Sequence, residues 1–214
     1  MIICGYIHAM TFINDDHWVE SASADSNVRD QLVAAAGVHF GKFGYEKTTL
    51  AELAKAIGFS KTYFYRSFRS KQEIGEAVYT QCIDKILGAI ATEVEAAQSA
   101  SEKLRKALIV GPVMGLKFLR EEPLLFEIAV TSSTENWVTS TSYMSALAAQ
   151  LSVIVAAGRE SGEFERKTPL DEVVRAIMFA MRIVIDPRLL RLHVDTVPEQ
   201  TSEAVRLVLR SLAL

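Results

Sequence analysis

The apolar residues between Val28 and Ile74 repeat at the period of an α-helix and fall into three short runs. In the first run, apolar residues recur every three or four positions, which marks one buried face of a helix. These residues are Val28, Leu32, Ala35, Ala36, Phe40 and Phe43. A turn at Gly44 and Tyr45 ends this predicted first helix.

Two shorter helices are predicted after this turn. Thr49 and Glu52 have the spacing of a capping box, which predicts the start of a second helix. Gly58 ends it, because glycine readily adopts the left-handed conformation that closes helices. Ser60 then caps a third helix, Lys61–Phe68. Two helices joined by a short turn with glycine form the pattern of a helix-turn-helix, whose second helix enters the major groove of DNA.

The third predicted helix has two chemically different faces. At about 100° per residue, Phe64 and Phe68 fall on the side that packs inward. The opposite side carries Thr62, Tyr63 and Arg66. Arginine can pair with guanine, and threonine or tyrosine can contact a thymine methyl. This face is therefore suited to base edges, while the flanking Lys61 and Tyr65 are suited to phosphates.

The distribution of charge agrees with a nucleic-acid interface. Residues 27–75 contain eight Lys/Arg and four Asp/Glu, a net charge of +4, whereas the whole chain has a net charge of −3. The basic balance thus lies where the predicted geometry needs phosphate contacts. The alternative is a small helical hairpin with ordinary surface charge, and the coincidence of charge with the third helix favours DNA binding.

Two runs within this segment resemble the TetR family of bacterial repressors. They are residues 43–54, FGYEKTTLAELA, and residues 58–73, GFSKTYFYRSFRSKQE. The resemblance covers about residues 27–75. It implies a homodimeric, ligand-responsive repressor that binds a palindromic double-stranded DNA operator, with an all-α fold of about nine helices.

The resemblance also implies a set of DNA contacts. By family position, the residues in the groove are Lys61, Thr62, Tyr63 and Arg66, and those on phosphate are Thr48, Thr49, Tyr65 and Lys71. Lys71 has a separate argument, since Ser70 and Glu73 predict a second capping box, and a helix start binds anions. The family often has small residues where Thr62 and Tyr63 stand, so that no operator sequence can be transferred.

Three domains follow from these patterns. Residues 1–26 are predicted to be a flexible N-terminal extension, residues 27–75 the helix-turn-helix domain, and residues 76–214 a helical ligand-binding and dimerisation domain. In the last domain, six helices are predicted at about 71–97, 101–120, 123–132, 142–159, 169–185 and 198–212. The second of these is interrupted at Gly111-Pro112, since proline lacks a backbone donor.

The uncharged stretch at residues 136–158 raises the alternative of a membrane span. Its asparagine, threonines, serines and glutamine are poorly tolerated by lipid. A buried helix of a cytoplasmic protein without membrane association is the favoured interpretation.

The helices at about 170–186 and 198–212 are more apolar than one buried face requires, which predicts a homodimer interface. Between Glu172 and Asp186 the only charges are Arg175 and Arg182, which we expect to pair with acids such as Glu203. An alternative role for Arg182 is to anchor an acidic ligand.

A ligand pocket for a small-molecule effector is predicted among the helices between residues 101 and 185. Aromatic and methionine side chains suit large apolar ligands, although for each residue taken alone a place in the core is the favoured interpretation. The candidate lining residues are Met114, Phe118, Phe126, Trp137, Tyr143, Met144, Met178 and Arg182.

Catalytic, cofactor and metal motifs are absent from the sequence. It has no glycine-rich phosphate loop, nucleophile elbow or metal-binding spacing, and its two cysteines, Cys4 and Cys82, lie in unlike contexts. We therefore expect a non-enzymatic protein without cofactor or metal. The remaining alternative is a DNA-binding protein without a small-molecule effector, acting architecturally or under the control of a protein partner.

Overall fold

Residues 21–58 and 61–213 are described by the computed structural model, and they form eleven helices and no strand. In chain order these are α1 (Ser21–Phe43), α2 (Leu50–Ile57), α3 (Lys61–Ser67), α4 (Lys71–Glu95), α5 (Ala100–Glu121), α6 (Pro123–Thr134), α7 (Val138–Glu160), α8 (Leu170–Ala180), α9 (Arg182–Ile185), α10 (Pro187–Leu190) and α11 (Val197–Leu212). The predicted all-α class is confirmed.

The signals that delimit α2 act as predicted. The Glu52 amide donates to Thr49 Oγ1 at 3.2 Å, and the Thr49 amide donates to Glu52 Oε2 at 2.9 Å, which completes the capping box. Gly58 closes the helix with φ 77°. The proposed cap of α3, Ser60, lies outside the described residues.

A small core holds α1, α2 and α3 together. Its fully buried members are Leu32, Ala36, Phe40, Leu53, Phe64 and Phe68. The prediction that Phe43 belongs to this buried face is wrong, since Phe43 is 50% exposed. Phe43 is the last residue of α1 and lies beside its own helix neighbours instead, 4.6 Å from the His39 ring and 5.2 Å below Lys42 Nζ.

The first helix begins earlier than the sequence suggested. Residues 21–26, predicted to be part of a flexible extension, are helical and continue directly into α1. Residues 1–20, the rest of that predicted extension, lie outside the described residues.

The remaining helices form a bundle around α5, which packs against α4, α7 and α11. The predicted interruption of this helix is wrong, because α5 runs through Pro112 without a break. Gly111 and Pro112 are both buried, and a Cβ on Gly111 would lie 3.6 Å from Ile90 and from the Tyr143 hydroxyl. Packing from α4 and α7 thus supports the helix where proline removes one backbone hydrogen bond.

Two helix boundaries also differ from prediction. α7 begins at Val138 rather than about residue 142, two residues after Asn136, which has φ 55°. The helix predicted at 169–185 divides at Met181 into α8 and the short α9, and Asp186 then leads into α10. Met181 and Val184, which lie at this division, are buried.

One helix among the described residues, α7, is long and apolar enough to cross a membrane by length and composition. Its buried face packs within the bundle through residues such as Tyr143, Leu147, Leu151 and Val155. Core helices of globular proteins pass the same test of length and composition.

Candidate nucleic-acid interface and internal cavity

The recognition candidate α3 has the two faces that its sequence predicts. Phe64 and Phe68 are fully buried, whereas Thr62, Tyr65 and Arg66 are exposed. The Tyr65 ring, 45% exposed, meets Phe64 edge-on at 6.1 Å. The side chains of Lys61 and Tyr63, the other two groove candidates, lie outside the described part of the chain.

The two threonines that precede α2 have different environments. Thr49 is exposed, and its hydroxyl takes part in the capping box. Thr48 is 3% exposed, and its hydroxyl donates to the Gly44 carbonyl at 2.8 Å. Thr48 therefore stabilises the turn between α1 and α2, and its hydroxyl is not presented to a phosphate.

Lys71 closes onto the same turn. Its Nζ donates to the Tyr45 carbonyl at 3.2 Å and lies 4.3 Å from the centre of the Tyr45 ring. At the start of α4, the Glu73 amide donates to Ser70 Oγ at 3.0 Å, but the Glu73 carboxylate accepts from Arg69 rather than Ser70. In the predicted capping box, the Glu73 carboxylate thus binds the amide one residue before the expected one. Lys71 links the start of α4 to the turn that precedes α2.

A layer of aromatic residues joins the DNA-binding domain to the bundle. The Tyr45 ring packs edge-on against Trp137 at 5.7 Å and against Phe40 at 5.2 Å. Gly75 of α4 permits this approach, since a Cβ there would lie 2.8 Å from Tyr45 and 3.3 Å from Trp137. The Trp137 indole N–H donates to Glu135 at 2.7 Å.

A cavity of about 550 Å³ opens between α4, the α6–α7 turn, α7 and helices α8 to α10. Four predicted lining residues, Tyr143, Met144, Met178 and Arg182, lie on its wall. The sequence interpretation missed other residues of this wall, among them Tyr79, Asn136, Val174, Ile185, Asp186 and Arg188. In the sequence, the mixed apolar and charged pattern near Asp186 was the one feature that could have indicated a site there.

Four other predicted lining residues do not line this cavity. Met114 lines a separate cavity of about 360 Å³ between α4 and α5. Phe126 and Trp137 are 3% exposed and belong to the core. Phe118 packs edge-on against Phe126 at 5.5 Å. Phe118, Phe126 and Trp137 pack against other side chains of the bundle instead, since α6 lies against α5 and α1.

The charged groups of the cavity form a compact set around Asp186. Arg188 donates to both Asp186 oxygens, at 2.9 and 2.6 Å, and Arg182 Nε lies 3.9 Å from Asp186 Oδ2. Burial raises the pKa of the Asp186 carboxyl, but hydrogen bonds and charge from Arg188 outweigh it and hold that pKa below its usual range. Asp186 is therefore an anion at neutral pH.

Within the single chain, Arg175 pairs with an acid of its own helix. Its Nη1 lies 2.5 Å from Asp171 Oδ2, one turn earlier in α8. Within this chain, the acids near both predicted interface arginines are thus Asp171 and Asp186. Four residues of separation in a helix places such partners side by side.

Large apolar side chains are exposed on α8, α9 and α11. Phe179 of α8 is 77% exposed and Leu207 of α11 is 65% exposed, and Ile183 of α9 is also exposed. α8, α9 and α11 contact one another. The predicted interface segments therefore present an uncovered apolar surface in the single chain.

Models of known protein families match both parts of the chain. Residues 32–78 match the model described as bacterial regulatory proteins, tetR family, and residues 100–206 match the tetracyclin repressor-like C-terminal domain. The chain belongs to the TetR family of transcriptional regulators. The helix-turn-helix of this TetR family protein lies in the part that matches the tetR family model, and its C-terminal bundle matches the C-terminal domain of the family.

Solved structures share the fold at low sequence identity. The fatty acid degradation regulator FadR from Bacillus halodurans is 18% identical, with a TM-score of 0.64 over 85% of this chain and 94% of that one. FadR from Bacillus subtilis in complex with stearoyl-CoA is 14% identical, with a TM-score of 0.65 over 86% and 98%. RolR in complex with resorcinol is 14% identical, with a TM-score of 0.63 over 89% and 90%. No curated protein matches the chain in sequence.

Proposed function

We propose that this TetR family regulator is a cytoplasmic repressor that binds a palindromic operator as a homodimer and is released by a small-molecule effector. The observation that supports this most directly is the position of the cavity, which shares the α6–α7 turn with the joint to the DNA-binding domain. Asn136 lines the cavity, and the next residue, Trp137, packs against Tyr45.

On the DNA side, the exposed face of α3 supports base recognition. Arg66 and Thr62 can reach base edges in the major groove, while Tyr65 and Thr49 can contact the flanking phosphates. Lys61 and Tyr63 complete the proposed set by their positions in α3. Two such helices in a homodimer would read the two halves of a palindrome.

The effector would act by preferring one of two arrangements of the DNA-binding domains. A ligand that binds the released arrangement more tightly by a few kcal/mol shifts the population away from operator binding. α4 and the α6–α7 turn are the elements that link cavity and DNA-binding domain. The stearoyl-CoA and resorcinol complexes of the structural neighbours support a small-molecule effector in this fold.

The test is binding of the purified protein to the DNA upstream of its own gene, in competition with random DNA of equal length. Arg66→Ala should lose about 1–3 kcal/mol of binding to the specific site. Arg105→Ala, a change of the same charge on exposed α5 surface, is the matched control and should bind like the wild type.

Binding no better than to random DNA, and unchanged by Arg66→Ala, would contradict the proposed recognition surface. Specific binding that no compound in a metabolite library weakens would favour a regulator controlled by a protein partner.

A further inference from the structure

The ionisable groups on the wall of the larger cavity are unequal in sign. Three of them are arginines, and one is a carboxylate: Arg175, Arg182, Arg188 and Asp186. Asp171, which pairs with Arg175, is not on the wall but neutralises that arginine from the outer side of α8. Around Asp186 there remain two guanidinium groups for one carboxylate.

These two guanidinium groups differ in how firmly Asp186 holds them. Arg188 donates two hydrogen bonds to Asp186, which is buried, and the Arg188 amide donates a third. Arg182 approaches the same carboxylate only to 3.9 Å, and its side chain is more exposed than that of Arg188. The donors of Arg182 can therefore turn to an anion in the cavity while Arg188 remains bound to Asp186.

Other polar groups of the wall include hydrogen-bond donors. Burial raises the pKa of Tyr143 to about 12 and raises that of Tyr79 further, so both phenols are neutral at physiological pH. A neutral phenol can donate to a carboxylate oxygen. Neither phenol therefore adds a negative charge to the wall of the cavity.

The rest of the wall is apolar. Met144 from α7, Val174 and Met178 from α8, and Ile185 from α9 enclose the space next to the arginines. Methionine adapts its shape to irregular or aromatic ligands. The volume of about 550 Å³ lies within the range of small-molecule sites.

We propose that the effector is a small organic acid whose apolar body lies against Met144 and Met178 and whose single carboxylate is bound by Arg182. This inference rests on the proposed effector function of the cavity and specifies its ligand class. A neutral molecule of the same shape would leave the second guanidinium group beside Asp186 without a counterion in the cavity.

The experiment measures calorimetric binding of two matched pairs of probes, 2-naphthoate with 2-naphthalenemethanol and octanoate with octanol. At least one acid should bind tenfold or more tightly than its alcohol. Arg182→Gln should abolish this preference and leave the affinity for the alcohol unchanged. Arg191→Gln, an exposed arginine outside the cavity wall, is the control and should keep the preference.

Equal binding of acid and alcohol, an unchanged preference in Arg182→Gln, or no binding of either acid would each overturn the proposal. DNA binding of the same protein samples is measured without any acid. A protein that binds its upstream DNA specifically but shows no acid preference would still be a regulator, so failure of the ligand class is distinguished from failure of the proposed function.

Discussion

Gly158 lies near the end of α7, where the following turn folds the Phe164 ring back onto the helix. A Cβ at Gly158 would lie 2.1 and 2.4 Å from two ring atoms of Phe164, and 2.9 Å from the Ala100 Cβ. Phe164 is fully buried, so that moving its ring would disrupt its packing. Gly158→Ala should therefore lower the free energy of unfolding by about 1–3 kcal/mol, measured by urea denaturation.

Gly88→Ala is the matched control, because a Cβ there meets nothing within 4 Å. It lies inside α4, where alanine is favoured over glycine by roughly 0.5–1 kcal/mol. A Gly158→Ala variant as stable as this control would show that the turn carrying Phe164 can shift to make room for the added methyl group.

Glu163 caps the start of α5 from a distant part of the chain. Its carboxylate accepts from the Ala100 amide at 2.9 Å and the Ser101 amide at 3.0 Å. The hydrogen bonds from the Ser101 and Ala100 amides hold the pKa of Glu163 below its ordinary value of 4.5. The stabilisation is present above that ordinary value and is lost as the pH falls through the lowered pKa of the folded state.

Glu163→Gln should accordingly have a lower melting temperature than the wild type at pH 7, and the difference should shrink as the pH falls below 4.5. Thermal melts from pH 7 to pH 3 measure this, with the exposed Glu160→Gln as control. A difference that is constant with pH would indicate that the charge of Glu163 plays no part.

At the scale of elements, the joint between the two domains depends on the narrow space over Gly75 of α4. In Gly75→Ala the added methyl would displace Tyr45, which precedes α2, or Trp137, which precedes α7. We expect a stability loss of about 1–3 kcal/mol and weaker operator binding, since α2 and α3 would shift relative to the bundle.

Gly37→Ala is the control for this joint, because its Cβ would make an ordinary contact of 3.6 Å with Val78. Operator affinity and urea denaturation are measured for both variants. Operator binding of Gly75→Ala equal to that of Gly37→Ala would contradict the role of the joint.

Helices with local start and stop signals were predictable from the sequence. The capping box of α2, Gly58 after it, and Pro198 near the start of α11 each act within a few residues. The continuity of α5 through Pro112 and the division at Met181 depend on packing from other helices, which no local pattern records.

The residues of the candidate sites were also predictable to different degrees, because some of their roles depend on packing between helices. The exposed face of α3 follows from helical periodicity, whereas the hydrogen bonds of Thr48 and Lys71 to the predicted turn at Gly44 and Tyr45 have no signature in the sequence. In the cavity, a large apolar residue such as Phe126 has the same sequence signature whether it lines a void or fills one. Tyr79 lies on α4, a helix that the sequence analysis placed outside the predicted pocket.

At the scale of the whole molecule, the exposed apolar side chains of α8, α9 and α11, Phe179 and Leu207 among them, are candidates for the homodimer interface. Two copies that cover these side chains would remove them from water, each contributing about 1.5–3 kcal/mol when fully buried. Phe179→Glu should therefore shift the protein toward monomer, measured by sedimentation velocity.

Val138→Glu is the matched control, since Val138 is exposed at the start of α7 and outside the predicted interface. A Phe179→Glu variant with the same association as this control would place the interface elsewhere.

The hydrogen bond from Lys71 to the Tyr45 carbonyl also bears on how the affinity for DNA depends on salt concentration. Each phosphate that a lysine or arginine neutralises releases about 0.9 of a condensed cation, and this release sets how steeply affinity falls with salt. Lys71 keeps its charge in this contact, but it releases a cation only if a phosphate comes close to its ammonium group beside the Tyr45 carbonyl and ring. The affinity of this regulator for DNA should thus depend less steeply on salt than the eight basic residues of segment 27–75 suggest.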